Sequence, residues 1–191
     1  LVSGQPEIEA IKGVLTEAVA AEAAQQRKGQ AGSHHPGLRV ALAACPNACT
    51  EPQTKDVGII AIQVPAGVGS GCDGCGRCEM VCREDAIRVA NGRAQIVPER
   101  CVGCGQCIRE CPNEAISSEP VRFRILVGGR MGRHPRWAEQ LCVADGPDVV
   151  KVVRGFLDEV RRHAGPGERA ANVAERIGVA TLREEMAVDV L

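Results

Sequence analysis

The 191-residue sequence predicts an α+β protein into which a cysteine-rich segment has been inserted. Three observations carry that prediction. Short runs with the composition of strands, at 38–44, 57–64 and 121–127, flank the segment on both sides. Helical apolar spacing occupies both ends of the chain. Between Cys72 and Cys111, one eleven-residue cysteine phrase is written twice.

Taken in order, residues 7–27 place Ile8, Ile11, Val14, Leu15 and Val19 three and four apart in an alanine-rich background, the pattern of one amphipathic helix. Residues 29–37 read as a loop of Gly, Ser, His and Pro, with His34 and His35 as exposed loop side chains. Residues 38–44 form a short strand that runs into Cys45-Pro46-Asn47-Ala48-Cys49, and 57–64 (VGIIAIQV) form a buried, β-branched strand. Pro65, Gly67, Gly69 and Gly71 read as a linker into the cysteine segment. Beyond that segment, 121–127 (VRFRILV) alternates as a strand does, and Gly128-Gly129 ends it. Helices are then expected at about 134–143 and 148–163, with two short ones from Glu168 and Thr181. Cys142 is expected in the first of these helices as a small core residue, and Trp137 and Phe156 are expected in the core. The resulting division is an α+β domain over 1–66 and 119–191, with 67–118 inserted.

Composition excludes several functions. A net charge of −1 gives no general attraction to nucleic acid or anionic membrane, and with no tyrosine and 2% aromatic residues there is little to stack on bases. No apolar run approaches the length of a membrane span. Eleven cysteines without the look of a secreted disulfide framework point to a reducing cytoplasm.

The first copy of the phrase carries Cys72, Cys75, Cys78 and Cys82; the second carries Cys101, Cys104, Cys107 and Cys111, each 29 residues after its counterpart. Structural zinc takes two separated ligand pairs, whereas each run here offers three close cysteines and a fourth, the spacing of an iron–sulfur site. A C-x2-C-x2-C loop wraps three corners of a cube and leaves its fourth cysteine facing away. In the bacterial ferredoxin pattern that cysteine ligates the cluster of the other loop. The phrase resembles the two-cluster bacterial ferredoxins. One [4Fe-4S] cluster is then expected on Cys72, Cys75, Cys78 and Cys111, and another on Cys101, Cys104, Cys107 and Cys82. Arg83 stands where the ferredoxins often have proline, which Pro112 keeps in the second copy. With Arg77 and Arg83 near one cluster and Arg109 and Glu110 near the other, the two potentials are expected to differ.

The run AACPNACTEPQTKDVGIIAIQ resembles the siroheme/iron–sulfur domain of nitrite and sulfite reductases, and Arg124 to Arg136 (RILVGGRMGRHPR) is similar to a second run of that family. A ferredoxin insert between the two is similar to dissimilatory and anaerobic sulfite reductase subunits. The resemblance implies that Cys45 and Cys49 serve a third [4Fe-4S] cluster coupled to siroheme, with Cys49 shared by both cofactors. It also implies that Arg130, Arg133 and Arg136 supply cations for haem carboxylates or for an oxyanion substrate, sulfite or nitrite. A complete site in that family takes a further C-x5-C pair about forty residues before the C-P-N-x-C run. Leu1 to Glu7 contain no cysteine, so the pair is expected upstream of Leu1 or lost. The expected function is an iron–sulfur oxidoreductase component that passes single electrons through two [4Fe-4S] clusters as a subunit or fragment of a siroheme-dependent sulfite or nitrite reductase, working with reductase subunits or a redox partner protein. The alternative is a haem-free two-cluster carrier on the same scaffold, and a weaker one keeps the metal as a structural staple.

Overall fold

The computed structural model describes residues 8–17, 20 and 37–189. Helix α1 spans 8–17 and buries Ile8, Ile11 and Leu15, while Val14 is exposed. The rest of the predicted first helix, together with His34 and His35, lies outside the described residues.

Strands β1 (Val40–Ala43), β2 (Val57–Ile62), β7 (Arg122–Val127) and β8 (Glu139–Asp145) form a four-stranded sheet in the order β1-β2-β7-β8. β1 and β2 are parallel, and the other two pairings are antiparallel. All six residues of β2 are buried, which is why this strand reads as a continuous apolar run instead of an alternation. Val57, Ile59 and Ala61 of β2 and Phe123, Ile125 and Val127 of β7 point to one face. There they meet α1, α4 (Gly146–His163), α5 (Ala170–Ile177) and α6 (Val179–Met186) in the main core. In α4 the apolar stripe Val149, Val153, Phe156, Leu157 and Val160 recurs every three or four residues, and each such side chain, fully buried, contributes about 1.5–3 kcal/mol. Arg161, Arg162 and His163 close its last turn, where positive charge suits the helix dipole.

Asp56, 1% exposed, fastens this layer to the sheet. Its carboxylate accepts the Arg39 N–H at 2.9 Å and the Ala171 N–H at 3.2 Å, and pairs with Arg169 at 3.3 Å. The start of α5 is thereby tied to the entry of β2.

Three sequence expectations are corrected. The stretch expected as a helix over 134–143 is extended, ending in β8. Strand β7 needs a partner for its outer backbone groups, and a bulge opposite Ile125 and Leu126 turns both Leu141 and Cys142 into the core. That pair of adjacent buried residues imitates helical spacing. Cys142 is buried as expected, but on a strand. Trp137, expected in the core, is 69% exposed, because the chain has not yet joined the sheet at that point.

The third correction concerns residues 65–71. Part of the supposed linker is strand β3 (Pro65–Val68), antiparallel to β6 (Ile116–Ser118). Ile62 pairs with Arg122 in the main sheet and Pro65 with Ser118 in a separate two-stranded sheet, so the chain stays antiparallel to itself as it leaves β2 and returns to β7. Between β3 and β6 lie α2 (Arg77–Val81), a hairpin of β4 (Ile87–Ala90) and β5 (Arg93–Ile96), and α3 (Gln106–Arg109). Asn91 and Gly92, both at positive φ, make the hairpin turn. No described helix is long and apolar enough to cross a membrane.

Candidate metal centres

The duplicated phrase folds as a duplicated backbone. Gly74 and Gly76 have φ of 72° and 78°, and Gly103 and Gly105 have 75° and 64°. Gly76 and Gly105 each start a short helix, α2 and α3. Asp85 and Glu114, again 29 residues apart, both have positive φ. The fourth cysteine of each copy accepts a backbone N–H four residues on, Cys82 from Ala86 and Cys111 from Ala115, both at 3.3 Å.

The copies exchange their fourth cysteines. Cys72, Cys75, Cys78 and Cys111 line one cavity, with Val89, Ala94 and Ile116 as apolar walls. Cys82, Cys101, Cys104 and Cys107 line a second, walled by Pro65, Ala86, Ile87 and Ile96. These are the two sets the ferredoxin pattern assembles, and all eight thiols are free.

The donor set tests which metal group fits. Each cavity offers four thiols among apolar walls and no histidine or carboxylate ligand within its cysteine set, which suits an iron–sulfur core, a group that soft thiolates select. Among the described residues, three ligand atoms also converge within 4.8 Å at Glu159, His163 and Glu185.

The surroundings of the two sets differ. Backbone N–H groups of Ala94 and Gly74 pull the Cys72 thiol below its usual range, the Ala94 contact measuring 3.4 Å. Burial pushes Cys78 up, raises Cys101 and drives Cys107 up to about 11. Without a cation to hold them as thiolates, the buried sulfurs stay protonated, so metal uptake releases protons.

A third region collects both family-like runs. The turn Cys45 to Cys49 leaves β1, and its Ala48 packs with Ala43, Ile60, Ile62 and Leu126 on the sheet face opposite the helices; Ala138, just after Arg136, joins the same cluster. Asn47 Nδ2 donates to Cys49 Sγ at 2.8 Å. Cys45 is half-buried and Cys49 exposed. Gly129 is held tightly enough that a Cβ there would stand 2.5 Å from the Gln53 carbonyl oxygen, and the Ala138 N–H donates to that same oxygen at 2.7 Å. Only glycine lets the turn after β7 approach residues 53–55 this closely.

Of the three arginines, Arg130 and Arg136 clamp the base of the second turn through reciprocal backbone bonds of 2.9 Å. Arg130 donates to Asn172 and pairs with Glu175, and Arg136 pairs with Glu139. Buried Arg136 Nη1 has no hydrogen-bond partner, and Arg133 is exposed. The sequence reading missed Arg124, whose Nε is also buried without a hydrogen bond. Its signal was the alternation in VRFRILV, which turns Arg122 and Arg124 to the face opposite Phe123 and Ile125. The buried, unsatisfied guanidinium atoms fit a negatively charged ligand on this face.

Comparison with known proteins bears on all three regions. The family described as the nitrite and sulphite reductase 4Fe-4S domain matches residues 19–190. The coenzyme F420-dependent sulfite reductase of Methanocaldococcus jannaschii is 34% identical over 151 residues, 78% of this chain and 24% of that protein. The crystal structure of dissimilatory sulfite reductase I superposes with a TM-score of 0.56 at 17% identity, covering 81% of this chain and 43% of that one. The chain thus spans less than half the length of either.

Proposed function

The chain belongs to the nitrite and sulphite reductase family as an iron–sulfur oxidoreductase component, and from that premise we propose that it carries single electrons through two [4Fe-4S] clusters held by an inserted domain, residues 67–118. Cys72, Cys75, Cys78 and Cys111 hold one cluster, and Cys82, Cys101, Cys104 and Cys107 hold the other. The observation that supports this most is the crossed gathering of eight free thiols into two cavities, four to each. A bound cubane supplies one-electron storage at a potential set by hydrogen bonds to sulfur, burial and local charge. The chain supplies those levers through the N–H groups of Ala86, Ala94 and Ala115 and the apolar walls of each cavity.

The remaining residues, 1–66 and 119–191, make the half of a siroheme domain that receives the electrons. Cys45 and Cys49 serve a third cluster coupled to siroheme. Arg130, Arg133 and Arg136, with Arg124 beside them in sequence, provide cations toward haem carboxylates and a sulfite or nitrite oxyanion. The other half and the electron donor come from reductase subunits or a redox partner protein, in a reducing cytoplasm. A second reading, a haem-free two-cluster carrier on the same scaffold, is favoured by one observation: Arg130 and Arg136 already pair with Glu175 and Glu139.

Iron, acid-labile sulfide and the visible spectrum of protein purified without oxygen separate these readings. About eight irons without tetrapyrrole bands identify the carrier; additional iron with siroheme bands identifies the reductase component. Colourless, iron-free protein from iron-replete cells would refute both.

A further inference from the structure

The two cysteine cavities are not equally attached to the sheet. Residue 63 follows the last residue of β2, and Gln63 N–H donates to the Gly103 carbonyl at 2.7 Å, forming a parallel bridge to Cys104. Its side chain is buried, 6% exposed, and Nε2 donates to Ser118 Oγ at 3.3 Å on the returning strand. Its Oε1 lies 2.9 Å from where a Cβ on Gly105 would stand, and a Cβ on Gly103 would meet Ile62 at 3.1 Å. The corresponding glycines of the first copy have other surroundings among the described residues: the space beside Gly74 is filled by Gly92 of the hairpin, and that beside Gly76 is open.

β1 and β2 are parallel neighbours, with Ala43 level with Ile60, so both leave the sheet at the same end. One exit becomes the Cys45–Cys49 turn and the other becomes Gln63.

We infer that Gln63 is a positioning residue that fixes the cavity of Cys82, Cys101, Cys104 and Cys107 against the end of β2, making it the cavity through which the insert is coupled to the sheet and its Cys45 turn. This rests on the two-cluster reading above. Its main-chain N–H holds the loop and its side-chain amide, packed beside Gly105, holds the returning strand at Ser118, so one residue joins both to the end of β2. A charge introduced on the residue 63 side chain, beside Gly105 and Arg109, is then a lever on the cluster of that cavity.

Gln63→Glu preserves the side-chain volume and Oε1 while adding one negative charge. In oxygen-free protein carrying both clusters, redox titration followed by electron paramagnetic resonance should show one midpoint potential falling, the other unmoved and iron content unchanged. The shifted signal should be the one that survives in a Cys75→Ala background. An equal shift in both clusters, or in neither, overturns the assignment. Gln63→Leu with hydrogen exchange gives a readout that does not depend on metal: residues 101–107 should exchange several-fold faster while 72–78 are unchanged. Uniform acceleration, or none, overturns it as well. Wild-type protein lacking two clusters would sink the two-cluster reading alone, and the exchange result would still decide the role of Gln63.

Discussion

The two copies of the cysteine phrase share a backbone and differ in their surroundings. Glycine signs, helix starts and the N–H contacts of the fourth cysteine repeat at the same 29-residue offset. Yet the first copy keeps Cys75 exposed and the Cys72 thiol low, while the second lies against β2 with Cys107 pushed up to about 11. A repeated phrase supplies ligand geometry, and what packs against each copy makes the two sites unequal.

The largest expected effect comes from removing a ligand. Cys75→Ala and Cys104→Ala should each lower iron by about four per chain, or by about one where a three-iron cluster remains, and each should spare a different resonance signal. Loss of all iron from either would show that the sites assemble only together, and would break the comparison.

Glycine substitutions within the first copy should come next. A Cβ at Gly74 would stand 2.6 Å from the Gly92 carbonyl oxygen at a φ of +72°, whereas Gly76 is open and carries only the conformational penalty. Gly76→Ala should cost about 1–2 kcal/mol in denaturant unfolding. Gly74→Ala should cost clearly more and lose the first cluster. Similar values for the two would mean that the hairpin does not press on the loop.

The smallest effect belongs to Asp73, which has no counterpart in the second copy, where Val102 stands. Its Oδ1 accepts the Cys75 N–H at 3.0 Å, and the Asn113 side chain, with that N–H, holds its carboxyl below the usual range. A lowered folded value means that the stabilisation is present above the ordinary value of 3.8 and is lost as pH falls through the folded value. Asp73→Ala should therefore melt slightly lower than wild type at neutral pH, and the difference should vanish in strong acid. A gap that persists in acid would contradict the assignment.

Much of this was legible in the chain. Cysteine spacing, with the ferredoxin pattern it resembles, named the two groups of four that line the two cavities, and the β-branched run of β2 and the apolar stripe of α4 announced themselves. What stayed hidden depended on partners distant in sequence. Strand β8 looked helical because a bulge buries Leu141 beside Cys142, and β3 looked like a linker because its pairing with β6 spans the whole insert. The hairpin turn at Asn91-Gly92 was a readable signal that went unused. Gln63 gave none, since a single polar residue after an apolar strand acquires meaning only when Gly103 and Ser118 arrive beside it.

The central claim, the exchange of fourth cysteines between copies, is tested most directly by Cys82→Ala. Cys82 lies in the first copy by sequence but lines the cavity of the second. Resonance and redox titration of this variant should match Cys104→Ala, with the cluster of Cys72, Cys75, Cys78 and Cys111 intact. A variant that instead matches Cys75→Ala would place all four ligands of a cluster within one copy and contradict the account.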